Sequence, residues 1–194
     1  MNNYNNIINF YKQYIELEQI IRKGWLMCNV PAERLESVAD HTLQLIMLAS
    51  VITKELKIDI DYKKLIDMLI IHDLGETIVG DISEVELNRQ EKKIEEAKAI
   101  KELLNTLSEE NSEYYYKLWL EMESKSTETS KFAYLLDKID AVIKAGIYEE
   151  QYNIAGLFDE FSGFQKQRQT FNNSILEELF EFINEKFDKT KKVL

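Results

Sequence analysis

The chain has one cysteine, one proline and six glycines in 194 residues. A lone Cys28 cannot form an internal disulfide, which excludes a disulfide-built fold and suits a reducing compartment. So little proline and glycine leaves few breaks, and long helices are favoured over a turn-rich β architecture. Strand-type alternation is scarce too, so the predicted class is all-α. Positive charge is in short supply: 24 Lys and Arg stand against 35 Asp and Glu, a net charge of −11. That balance argues against a nucleic-acid or anionic-membrane surface, either of which needs a basic patch. It leaves room for a small phosphorylated substrate, because a bound divalent cation reverses the local sign of the field. No apolar run approaches the ~20 residues of a membrane helix. The N-terminal Met1-Asn2-Asn3-Tyr4-Asn5-Asn6 lacks the basic start and apolar core of a signal peptide. The expectation is a cytoplasmic protein with no membrane or nucleic-acid partner. Hydrophobic residues make up 45% of the chain, enough for a sizeable core, and the length suits one domain over 1–194.

Histidine is scarce as well, with two in the chain, and each sits beside an acid. His72 and Asp73 end the apolar run Met68 to Ile71, and Glu76 and Asp81 follow across Gly75 and Gly80. His41 follows Asp40 in Glu36-Ser37-Val38-Ala39-Asp40-His41. An ionisable pair at the end of an apolar run is costly to bury unless a metal or hydrogen bonds hold it.

Apolar spacing predicts a first helix over 7–21, ending near Lys23-Gly24, followed by an ordered loop from Trp25 to Glu36. A second helix is expected over about 37–57, with His41 one turn before Leu45. A third, capped by Asp59 or Asp61, carries Tyr62, Leu65, Leu69 and His72 down one face. Leu74 to Ser83 reads as a compact turn region. A helix over about 88–107 turns Ile94, Ala97, Ile100, Leu104 and Leu107 inward, and another follows over 108–126. After a polar break at Ser124 to Ser130, Lys131 to Gln151 reads as a buried helix. It is interrupted by Asp137 and Asp140, which share a face at i, i+3. Ser174 to Glu177 forms a capping box for a last helix.

Taken singly, each polar residue has an ordinary explanation. On spacing alone Arg22 is a solvated helix-end cation and Trp25 a core residue. Asp81 reads as a cap, Glu76 as a turn acid, and His41 as a hydrogen-bonded core histidine. Asp140 has Lys138 or Lys144 as candidate salt-bridge partners. Asp137, flanked by Leu135 and Leu136, is the better site candidate, with Asp140 as the fallback. Taken together, His41, His72, Asp73 and a buried helical aspartate are the ligand types of one divalent cation. Imidazole and carboxylate without thiolate fit Mn, Fe, Co, Ni, Mg or Zn, and do not suggest a structural zinc site.

In order, His41, His72-Asp73 and Asp137 fit the H…HD…D pattern, and the chain resembles the HD-domain metal-dependent phosphohydrolases. Within them it is similar to the 5′-deoxynucleotidase branch. The resemblance spans about 22–150. It includes Arg22-Lys-Gly-Trp25, Glu36 to His41, His72-Asp-Leu-Gly-Glu76, Gly80-Asp81-Ile82 and Leu136-Asp137-Lys138. It implies an HD-domain helical bundle acting as a dimeric phosphatase on the 5′-phosphate of deoxynucleoside monophosphates. His41, His72, Asp73 and Asp137 would hold the metal, and Glu76 would position or activate the attacking water. Asp81 would contact the sugar side, Arg22 the phosphate, and Trp25 would shape a deoxyribose pocket. The dimer is expected partly through the aromatic-rich segment Tyr114 to Leu120. A second reading is hydrolysis of guanosine polyphosphate alarmones or other phosphoesters. Alarmone hydrolases carry Asp where Thr77 stands here, which counts against it. A third is a nucleotide-binding scaffold without turnover, against which the retention of all four ligand types counts.

Overall fold

The computed structural model describes residues 3–82, 89–163 and 174–187; the side chains of Arg89 and Ser174 fall outside the description. In chain order its α-helices are α1 (Asn3–Tyr14), α2 (Lys23–Met27), α3 (Val38–Glu55), α4 (Tyr62–Ile71) and α5 (Glu76–Val79). They continue as α6 (Arg89–Leu104), α7 (Glu109–Ser124), α8 (Glu128–Tyr152), α9 (Leu157–Ser162) and α10 (Ser174–Phe187). Among the described residues there is no strand, only an isolated antiparallel bridge between Ile21 and Ser37. The all-α expectation holds.

Local chemistry sets the helix ends. Ser37 starts α3 with a capping box: its hydroxyl accepts from Asp40 N at 3.1 Å, and Asp40 Oδ2 accepts from Ser37 N at 2.9 Å. Asp61 caps α4 by accepting from Lys64 N at 3.0 Å. Thr127 and Ser130 form a second box at the start of α8, and Asn153 ends that helix in the left-handed conformation at φ 56°.

α8 is the axis of the fold. α3, α4 and α7 pack on it, α9 folds back against it, and α6 lies across α5 and α7. Leu45, Leu65, Leu69, Leu103, Leu136 and Ile139 are fully buried between them. Each such side chain contributes roughly 1.5–3 kcal/mol by leaving water. A smaller cluster joins Trp25, Val30, Ala145, Tyr148 and Leu157, and fastens the short α2 to α8 and α9.

Several expected boundaries move. The first helix stops at Tyr14 and a 3-10 turn, Ile15–Gln19, follows it. No residue of α1 is buried, so its amphipathic pattern has no full cover, and Ile7 points outward. The predicted loop from Trp25 takes in the end of α2, which starts at Lys23, and a 3-10 turn at Ala32–Arg34. The polar break before α8 is short, because the Thr127 cap lets the helix begin at Glu128. Ile94 is exposed, whereas Ile100 and Leu104 are buried as expected. Leu118 and Trp119 are buried too, so the Tyr114 to Leu120 segment presents Tyr114, Lys117 and Leu120 outward. The expected helix start at 88, the end of the turn region at Ser83 and the Ser174 side-chain cap lie outside the described residues and side chains. No described helix is long and apolar enough to cross a membrane.

Candidate metal centre and substrate cavity

Three segments converge at one end of the bundle. α3 delivers His41 directly after its capping box, α4 ends at His72-Asp73, and α8 crosses opposite with Asp137 and Asp140. His41 is wholly buried. Its Nδ1 lies 2.9 Å from Asp140 Oδ2, so this nitrogen carries the proton and donates to the carboxylate. The other ring nitrogen, Nε2, turns toward Asp137 Oδ1 at 3.2 Å and Asp73 Oδ2 at 3.9 Å. His72 is fixed in the same way. Its Nδ1 donates to Leu69 O at 2.8 Å, and its Nε2 stands 3.4 Å from His41 Nε2 and 3.0 Å from Asp73 Oδ2.

Two imidazole lone pairs and a carboxylate thus face one point: ligand atoms of His41, His72 and Asp73 lie within 4.8 Å of one another. Asp137 joins this trio through its contact with His41. Oxygen and imidazole donors without sulfur fit a hard or borderline divalent cation. The Nδ1 bonds are the outer contacts that orient histidine ligands. The donor set therefore fits a metal.

The electrostatics agree. Burial alone would lower the His41 pKa, but its bonds to Asp137 and Asp140 overcome this and raise it to about 9. The pocket around its ring is strongly receptive to positive charge. Burial opposes ionisation of Asp73, yet the His72 and His41 rings hold it below the usual carboxylate range. Asp137 is likewise held low against burial, by Lys138 and His41. Glu76 behaves oppositely. Burial, then the charges of Asp73 and Asp81, push its pKa well above 4.5.

Beside this cup lies a cavity of about 240 Å³. Arg22, Trp25, Asp73, Glu76, Asp81 and Asp137 all line it. His41, His72, Asp73 and Asp137 therefore meet at the cup, and Arg22, Trp25, Glu76 and Asp81 reach the cavity, whereas Asp140 lines neither. Glu76 is buried in the first turn of α5 and stands outside the close trio. That short helix ends at Gly80, whose φ of 74° and ψ of 173° suit glycine alone. Gly75 sits against α6, where an added Cβ would lie 3.2 Å from Glu96 O. These two glycines set how Glu76 and Asp81 meet the cavity.

Other assignments are corrected by distance. Asp140 pairs with His41; Lys138 pairs with Asp137 at 2.9 Å, and Lys144 with Glu36 at 3.0 Å. Asp140 stands on the ring face away from His72 and Asp73, so Asp137 alone of the two faces the cup. Asp81 is indeed a cap, but of α2: its Oδ2 accepts from Lys23 N at 2.6 Å. Trp25 is a core residue that also forms a cavity wall, stacked on Phe161 at 4.7 Å between ring centres. Arg22 is not a solvated cation: its Nη1 is buried, with no hydrogen-bond partner among the described residues.

Some site residues gave no usable signal in the sequence. Phe161, Lys92 and Lys138 line the cavity. Trp119 donates its indole N–H to His72 O at 3.2 Å, bracing the end of α4 from α7. Lys138 adjoins Asp137 in the motif but read only as a salt-bridge partner, and Phe161 and Trp119 read as ordinary apolar residues.

Comparison with known proteins places this geometry. The HD domain family matches residues 15–180. The chain is 32% identical over 157 residues to the 5′-deoxynucleotidase HDDC2 of Bos taurus, covering 80% of this chain and 74% of that protein. It is 32% identical over 181 residues to the 5′-deoxynucleotidase HDDC2 of Dictyostelium discoideum, covering 90% and 94%. Among solved structures, a conserved hypothetical protein from Pyrococcus furiosus superposes with a TM-score of 0.75 at 30% identity, covering 92% of this chain and 99% of that one. With the His41, His72-Asp73 and Asp137 constellation assembled at one end of a helical bundle and this match over most of its length, the chain belongs to the HD domain family.

Proposed function

We propose that this protein is a metal-dependent phosphohydrolase that removes the 5′-phosphate from deoxynucleoside monophosphates. The observation that carries the reading is the convergence of two histidine Nε2 atoms and Asp73 beside a cavity lined by Arg22. The curated relatives named 5′-deoxynucleotidase support the substrate class. A divalent cation held by His41, His72, Asp73 and Asp137 would supply Lewis-acid polarisation of the phosphoryl group. Mn, Co, Fe, Ni, Mg and Zn all remain compatible with these ligands.

The protein's own groups account for the rest. Arg22 lines a cavity otherwise rich in carboxylates, where its guanidinium would hold a phosphate oxygen. Glu76, in its ionised form, takes a proton from the water as the water oxygen bonds to phosphorus and the P–O5′ bond breaks, and gives that proton to the leaving sugar oxygen. Trp25 and Phe161 give a flat apolar wall for the sugar, and Asp81 meets the sugar side while holding α2 in place. Phosphate release from a panel of deoxy- and ribonucleoside monophosphates, with metal content measured alongside, tests the proposal. Turnover of deoxynucleotides only in the metal-loaded protein is expected, and turnover of none would overturn it.

We read the whole chain as one domain and the protein as a cytoplasmic homodimer. On α3, Leu43, Met47 and Val51 project outward at 66%, 62% and 49% exposure, one turn apart, and form an apolar stripe that a second copy would cover. A monomeric mass by light scattering at micromolar concentration would remove the dimer.

A further inference from the structure

Glu36 begins the motif that leads to His41 but belongs neither to the cup nor to the cavity lining. It is 5% exposed. Its Oε1 accepts from Trp25 Nε1 at 2.7 Å and lies 3.8 Å from Arg22 Nε. Its Oε2 lies 3.0 Å from Lys144 Nζ, a charge contact outside hydrogen-bond angles. Lys144 in turn donates to Gln44 Oε1 at 2.5 Å. The backbone explains why these groups meet. The Ile21–Ser37 bridge carries flanking bonds from Arg22 N to Glu36 O at 3.1 Å and from Val38 N to Ile20 O at 2.8 Å. Residues 22 and 36 are therefore opposite one another, and α2 brings Trp25 back over the same carboxylate.

We propose that Glu36 is a positioning residue: one buried carboxylate sets the phosphate-contacting Arg22 and the sugar-pocket wall Trp25 together. This rests on the deoxynucleotidase reading given above. Three features single it out from an ordinary buried ion pair. The carboxylate engages Arg22 through Nε, on the stem side of the guanidinium, and Arg22 also lines the cavity. It holds the indole by the one polar atom Trp has, which fixes the ring's rotation against Phe161. Lys144, arriving from α8, ties this pair to the helix that also carries Asp137. The phosphate contact, the sugar wall and the metal cup thus share one frame, and Glu36 touches none of the reacting atoms.

Glu36→Gln keeps the shape but takes the carboxylate from Lys144 and from the Nε side of Arg22, which keeps Asp137 and Asp73 as nearby counter-charges. Glu36→Gln with Lys144→Met restores the original local net charge while still lacking the ionic hold on Arg22. The test measures kcat, KM, metal content and melting temperature for both proteins, with deoxy- and ribonucleoside monophosphates. Metal content should be unchanged in both. kcat/KM should fall roughly 10- to 100-fold in both, mainly through KM, as expected when a binding group shifts by about 1 Å. The double variant should recover melting temperature without recovering KM. Recovery of KM together with stability would show a structural role only and would overturn the proposal, as would an unchanged KM in Glu36→Gln. Calorimetry of inorganic phosphate binding to the metal-loaded proteins gives an arm without turnover. Weaker phosphate binding in both variants supports the proposal even if no deoxynucleotide is hydrolysed by the parent protein, which would defeat only the deoxynucleotidase reading. Equal phosphate affinity in all three proteins overturns it.

Discussion

The two sides of the cavity are held in different ways. The cup stands on α3, α4 and α8, helices of 18, 10 and 25 residues packed on one another. Each of its histidines is fixed by a hydrogen bond within the same bundle, His41 by Asp140 and His72 by Leu69 O. The opposite wall stands on α2, a helix of 5 residues, too short to hold itself. Its position comes from outside: Asp81 caps its first N–H, Glu36 holds Trp25, and Phe161 stacks on the indole. A cation site tolerates little movement and is built on rigid helix register, whereas the substrate wall is a small element clamped by distant partners. Changes in the cup should remove the chemistry, and changes in the wall should alter which substrate binds and how tightly.

The largest effect should come from the cup itself. His72→Ala or Asp73→Ala is expected to lose both bound metal and measurable phosphatase activity; a His72→Ala protein with full metal occupancy would break the assignment. Glu76→Ala should keep its metal and its nucleotide affinity while kcat falls ~10²–10⁴-fold, the range for loss of a general base. Loss of metal in that variant would move Glu76 among the ligands. Between the two aspartates of α8 the contrast is sharper. Asp137→Ala should abolish metal binding, and Asp140→Ala should only weaken it ~10–100-fold, because Asp140 acts through the His41 ring. Equal metal loss in the two would erase the distinction drawn from the geometry.

Smaller effects should come from the wall. Trp25→Phe shortens the apolar face and loses the bond to Glu36. The ratio of kcat/KM for deoxy- over ribonucleotides should then drop by roughly tenfold, the scale of one pocket contact, with metal content unchanged. The smallest effect concerns stability. Burial and the charges of Asp73 and Asp81 raise the Glu76 pKa above its ordinary 4.5, so the folded chain holds this proton at pH values where the unfolded chain has released it. Its contribution is fully present below pH 4.5 and is lost as pH rises through the raised value. Glu76→Gln in chelator-treated protein should therefore melt higher than the parent at neutral and alkaline pH. A gain of about 2–4 °C is expected, the shift that ~1 kcal/mol gives a domain of this size. The gap should close toward pH 4.5, and a constant gap would show that titration is not its source.

By itself the sequence determined the helical class and most helix boundaries, and its H…HD…D pattern pointed to the cup. With two histidines in the chain there is no other imidazole ligand, and the helix positions of both follow from period and caps. Ser37, Asp61 and Thr127 act through atoms within three residues, so their effects are local. Tertiary structure decided what depends on direction and on distant neighbours. Asp137 and Asp140 share a helix face, and only the placement of the His41 ring between α3 and α8 decides which carboxylate meets Nε2 and which meets Nδ1. Spacing alone left Arg22 solvated, because nothing near it in sequence shows that the Ile21–Ser37 bridge folds Glu36 against it. Asp81 reaching Lys23, Phe161 covering Trp25 and Trp119 bracing His72 are likewise contacts between residues tens of positions apart. Their geometry is fixed by packing around α8, which no local pattern encodes.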